Sequence, residues 1–153
     1  MTDPSPVERR IRGSFARQAF MATVGARMTV VRPGHVEIEL PYAEGNTQQH
    51  GFIHGGLVAS IADSACGYAA PTTMPDDAAV LTAEFKINLM SPAKGELLRA
   101  VGRVVRPGRR LVICSGDVFA LDTAQEKQEK QEKHVALIVA TMAVIEKTSG
   151  LRD

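Results

Sequence analysis

Between Gly55 and Ala70 the sequence reads GGLVASIADSACGYAA, a helical pattern built almost wholly from small residues. Leu57, Val58, Ile61, Ala62, Ala65, Cys66 and Ala69 recur at three- and four-residue spacing and form one apolar stripe. A helix flanked by Ala, Gly, Ser and Cys lets a sheet come close, because no long side chain holds it off. The rest of the chain supplies that sheet. Ala79–Met90, Leu97–Val105, Arg110–Leu121 and His134–Ile145 read as long strands, with turns at Ser91–Gly95 and Pro107-Gly108. Upstream, Arg27–Val31 and His35–Leu40 alternate around Pro33-Gly34 as a hairpin, and Tyr42–Phe52 is loop-like. Val7, Ile11, Phe15 and Phe20 predict one helix from Val7 to about Ala22, with cap and start signals in Asp3–Pro6. The expected fold is α+β, with a mainly antiparallel sheet wrapped around one long central helix.

A chain of 153 residues is one domain's worth, so residues 1–153 are expected to form a single unit with residues 1–6 as a disordered lead-in. The net charge of +1, with cations scattered along the chain, leaves no nucleic-acid footprint. No run approaches membrane-spanning length, and MTDPSPVERRIRGSF lacks a signal-peptide core, so no membrane partner and a cytoplasmic location are expected. Cys66 and Cys114 show no metal-type spacing and read as reduced core thiols. QEKQEKQEK, from Gln125 to Lys133, has no apolar residue to bury. Residues 123–133 therefore read as a charged, solvated turn extension, with i,i+4 Glu–Lys pairs giving transient helix.

Asp63 interrupts the central helix. The helical wheel sets Ser60, Asp63, Ser64 and Gly67 away from most of the apolar stripe, in surroundings too apolar for a freely exposed acid. A carboxylate in a partly dry site can serve as a general base or as a nucleophile. At the start of the same helix, Gly55 and Gly56 carry first-turn amides without helical partners, and a ligand oxygen can approach them closely. With the helix dipole behind them they form a candidate oxyanion hole. Eight residues of helix separate Gly55 from Asp63, roughly 12 Å of rise. One reacting carbon must lie within about 3 Å of both donor and attacking group. A single helix cannot supply both, so the pattern predicts a two-fold dimer with paired sites at the interface.

The run His54-Gly55-Gly56 through Asp63, H-G-G-x-x-x-x-x-x-D, together with LTAEFKINLMSPAKGELLRAVGRVVRPGRRL, resembles hotdog-fold acyl-CoA thioesterases of the PaaI-like, phenylacetate-degradation type. The resemblance covers about Val24 to Glu146 and implies a hotdog fold. It implies that the Gly55 amide binds the thioester carbonyl oxygen, helped by the side-chain amide of Gln48. It implies that Asp63 of the facing subunit is base or nucleophile, that Thr82 orients water, and that His54 holds the loop by hydrogen bonds. Gly56 is a further candidate contact to substrate. His50 falls outside the pattern and reads as a loop residue. Arg106, Arg109 and Arg110 flank the second turn, and Arg109 and Arg110 are candidates for the phosphates of coenzyme A. Lys94 is a lesser candidate. Phe52, Tyr68, Met74 and Met90 would line the acyl pocket or pack in the core. No cofactor is called for, since coenzyme A enters with the acyl-CoA substrate, and a dimer of dimers is the family's usual assembly. A non-catalytic acyl-CoA-binding or regulatory domain is the alternative. Gly55 and Asp63 together favour catalysis over it.

Overall fold

The structure, a computed structural model, describes residues 3–122 and 132–145. Of the charged extension expected over residues 123–133, residues 123–131 lie outside them, while Glu132 and Lys133 prove to be the start of a strand rather than part of a turn.

Two short helices open the fold. In α1, Pro6–Ala16, Pro6 occupies the first turn and the Ser5 hydroxyl accepts the Glu8 amide at 3.1 Å. The chain leaves helical geometry at Gln18, resumes as α2 over Ala19–Val24, and stops at Gly25 with φ 80°. The single helix expected over Val7–Ala22 is thus a broken pair. In an unbroken helix Ile11 and Met21 would point roughly 80° apart. With the break, both are fully buried.

Six strands follow in the order β1 Arg27–Arg32, β2 His35–Pro41, β3 Ala79–Leu89, β4 Leu97–Arg106, β5 Leu111–Leu121 and β6 Glu132–Ile145. They form one antiparallel sheet ordered β1-β2-β4-β5-β6-β3. Helix α3, Gly55–Ala69, follows β2 and runs into a 3-10 turn at Ala70–Thr73. The sheet wraps around it, as the hotdog arrangement requires, with α3 packed against β2, β4, β5, β3 and β6.

A glycine pair makes the close approach possible. Gly102 of β4 faces Gly116 of β5 in register. A Cβ on Gly102 would fall 2.2 Å from the Ala65 carbonyl carbon, and one on Gly116 would fall 3.1 Å from Cys66 Sγ. The small face of α3 therefore seats in a notch that only glycine leaves open. Cys66 and Cys114 are free and buried there. Burial pushes both thiols up, Cys114 to about 11, so neither is a thiolate at neutral pH.

At the sheet's end, β3 pairs with β6 alone among the described residues. Leu81, Phe85 and Leu89 along it are 53%, 42% and 54% exposed. Among the described residues no helix is long and apolar enough to cross a membrane.

Candidate active site

His54 is the N-cap of α3, and its Nδ1 accepts the Gly56 amide at 2.9 Å. Nδ1 must therefore be unprotonated, with the ring proton on Nε2. The His54 carbonyl takes the amides of Leu57 and Val58. This bonding corrects one expectation. The Gly56 amide is taken by His54, whereas the first-turn N–H of Gly55 meets no acceptor among the described residues. The side chain of Leu89 lies over Gly55, 2.8 Å from where a Cβ would stand.

The preceding loop positions Gln48. Its amide bonds the Phe52 carbonyl at 2.8 Å, and Gly51, at φ 79°, returns its own amide to the Gln48 carbonyl at 3.0 Å. Gln48 Oε1 accepts the His50 amide, which leaves the side-chain NH2 to donate. Gln48 and Gly55 line one cleft of about 330 Å³ with Phe52, Leu89, Met90 and Ser91.

Asp63 is elsewhere. It lines a recess of about 180 Å³ with Gln18, Ser64, Tyr68, Leu81 and Thr82. Thr82 Oγ1 donates to Asp63 Oδ1 at 2.8 Å, just before a β-bulge between Thr82 and Glu84. Burial raises the Asp63 pKa above 3.8, and the Thr82 hydrogen bond partly opposes the rise. The structure therefore brings together Gln48 with Gly55, and Asp63 with Thr82, as two separate groups on one chain.

Arg109 and Arg110 are exposed in the bend between β4 and β5. Leu111, next along, pairs with Ala143, which pairs with Leu81, so the bend lies at the Thr82 end of the sheet. Lys94 lines a third cleft with Tyr42, Glu96 and Asp122. Of the four candidate lining residues, Phe52 and Met90 lie in the Gln48 cleft and Tyr68 in the Asp63 recess, while Met74 packs on the core. His50 is an exposed loop residue.

Sequence reasoning passed over Gln18 and the burial of Ser64. Ser64 is only 9% exposed, and Gln18 Nε2 reaches its hydroxyl at 3.4 Å. No residue pattern announces this contact, because it depends on the break between α1 and α2.

Residues 50–127 match the family profile described as the thioesterase superfamily, a span that takes in Gly55, Asp63, Thr82, Arg109 and Arg110. A crystal structure of a thioesterase family protein from Silicibacter pomeroyi is 43% identical, superposes with a TM-score of 0.85, and is covered over 98% of its length by 92% of this chain. A Saccharolobus solfataricus protein named "Putative esterase" is 34% identical over 80 residues, 52% of this chain and 56% of that protein. A second so named from the same organism is 33% identical and matched over 64% of its length, so the chain spans less than two thirds of either. The Streptococcus mutans protein smu.793, solved bound to acetyl CoA, shares the fold at 24% identity and a TM-score of 0.66 over 80% of this chain and 90% of its own.

Proposed function

Because the chain belongs to the thioesterase superfamily, we propose that it hydrolyses acyl-CoA thioesters at sites built from two copies of itself. The observation that carries this reading is the division of the chemistry. The free Gly55 amide and the Gln48 side chain line one cleft, while Asp63, held by Thr82, lines another. Eight residues of helix separate Gly55 from Asp63, roughly 12 Å.

The edge strand supports the missing half. Antiparallel pairing of β3 with a second β3, centred between Phe85 and Lys86, sets Thr82 opposite Leu89 of the other copy. Thr82 holds Asp63, and Leu89 lies over Gly55. The same pairing covers the exposed Leu81, Phe85 and Leu89 and ends the open edge. Two symmetric sites result.

In each site the thioester carbonyl oxygen accepts hydrogen bonds from the Gly55 N–H and the Gln48 NH2. Ionised Asp63 of the other copy, with Oδ1 fixed by Thr82, takes a proton from water as the water oxygen attacks the carbonyl carbon. The tetrahedral oxyanion is held by the same two donors. As it collapses, the C–S bond breaks and the Asp63 proton goes to the departing CoA sulfur, leaving the free acid. Coenzyme A as the carrier is consistent with the acetyl CoA held by the same fold in the Streptococcus mutans protein. The exposed Arg109 and Arg110, at the Thr82 end, suit its phosphates.

A panel of acyl-CoA thioesters, followed by release of free thiol, tests the proposal. Hydrolysis by the wild type and loss of about 10²- to 10⁴-fold in Asp63→Asn is the expected result. Tight acyl-CoA binding with turnover unaffected by that substitution would assign the chain to binding instead.

A further inference from the structure

The loop that carries Gln48 is closed on itself. Its legs meet where the Asn46 carbonyl accepts the His54 N–H at 2.9 Å, and Thr47 and Ile53 bridge just beyond. With the Gln48–Phe52 and Gly51–Gln48 bonds, this sets the shape of the loop. Its placement against the rest of the fold is a separate matter. The returning leg is pinned by Ile53, which is buried and donates its amide to the Ala93 carbonyl at 3.0 Å. The outgoing leg is pinned by a side chain, for Asn46 Nδ2 donates to the Val24 carbonyl at 3.0 Å.

Both partners are prepared for that bond. Gly25, at φ 80°, ends α2 and leaves the Val24 carbonyl beyond the reach of the helix's own amides. A carbonyl only accepts, so the part of Asn46 that faces it is the NH2. Asn46 is half-buried and closes the 3-10 turn Glu44–Asn46, its amide bonding the Ala43 carbonyl at 3.0 Å. Both proposed oxyanion donors depend on this residue. Gln48 follows it along the same leg. Gly55 is reached through His54, whose N–H is held by Asn46, whose carbonyl is held by Leu57 and Val58, and whose ring is held by Gly56. If Asn46 let go of α2, the outgoing leg would swing about the Ile53 anchor. Gln48 would move with it, and the bond that orients the His54–Gly55 peptide would loosen.

We infer that Asn46 is a positioning residue, whose side chain holds the Gln48 NH2 and the Gly55 N–H in place by bonding their loop to the end of α2. The inference rests on the proposed thioester hydrolysis for what the two donors do, but not for their placement. Asn46 lines neither the Gln48 cleft nor the Asp63 recess, so it acts through the donors without touching substrate. Such donors act where charge develops, so displacing them lowers turnover more than ground-state binding.

The test is Asn46→Ala, with Asn46→Asp as the variant that keeps the shape and loses the donor. Both should lower kcat by about 10- to 100-fold, the scale of a misplaced reacting group, and leave KM within about threefold. Combined with Gln48→Ala, the loss should fall well short of the product of the two single losses, because Asn46 acts through the group already removed. Amide hydrogen exchange reads the same anchor without turnover. Exchange at Gln48, Gly51 and His54 should quicken in Asn46→Ala while amides within α3 and β4 keep their wild-type rates, whereas a general loss of stability would move all of them. A loss of kcat that multiplies fully with Gln48→Ala, or a raised KM at unchanged kcat, would overturn the role of Asn46. So would wild-type exchange in the loop of the variant. A wild type without hydrolysis, whose loop still quickens on Asn46→Ala, would instead overturn the hydrolytic reading and keep the Asn46 anchor.

Discussion

At the scale of single residues, the role as base proposed for Asp63 draws on surroundings that are neither wet nor dry. Burial raises its pKa from 3.8, and the hydroxyl of Thr82 restrains the rise. A base must be ionised, so activity should fall on the acid side with a midpoint above 3.8. Thr82→Val removes the restraining hydrogen bond while keeping the shape. Its acid limb in kcat/KM should move to higher pH and its turnover should drop about tenfold, whereas Thr82→Ser should restore both. Stability runs the opposite way. A raised pKa means that the folded state holds its proton more tightly than the unfolded chain. That contribution is complete below 3.8 and is lost as pH rises through the higher folded value. Asp63→Asn should accordingly raise Tm by a few degrees at neutral pH, with the gain vanishing below 3.8. A thermal melt series across pH checks the sign. Most of this was legible in the sequence, since an acid in a small-residue helix and a glycine at its start both stand out. The separate fates of Gly55 and Gly56 were not, because they turn on which way the His54 ring faces.

At the scale of elements, α3 and the sheet depend on each other through the Gly102–Gly116 notch. Gly102→Ala would place a carbon 2.2 Å from the backbone of Ala65. Backbone cannot step aside as a side chain can, so the substitution should cost about 3 kcal/mol or prevent folding. Urea titration measures this, and Gly13→Ala, with nothing within 4 Å, is the control. The strands and α3 were legible because their periods of two and 3.6 persist over ten or more residues. Their observed ends lie within about two residues of the expected ones. The first helix was misread as continuous because the apolar spacing of Val7, Ile11 and Phe15 carries through Gln18. What breaks it is tertiary, the joint burial of Ile11 and Met21. The consequence reaches the site, since that break turns Gln18 toward Asp63.

At the scale of the whole molecule, β3 presents an open edge with large apolar side chains where a lone chain would need charge or cover. Phe85 stands near the proposed two-fold axis. Phe85→Glu should give a monomer by sedimentation and, with each site split, no thioester hydrolysis. An active monomer would contradict the account. Complementation between two inactive variants tests the shared site most directly. Gly55→Pro removes the N–H proposed to hold the oxyanion, at the first helical position, where proline is tolerated. Asp63→Asn removes the proposed base. Each alone should be inactive. After unfolding and refolding together, half of the dimers pair one chain of each kind, and each such dimer holds one intact site. The mixture should then recover about a quarter of wild-type activity, as expected for a two-fold dimer. A refolded, dimeric mixture that stays inactive would contradict the assembly of each site from two copies.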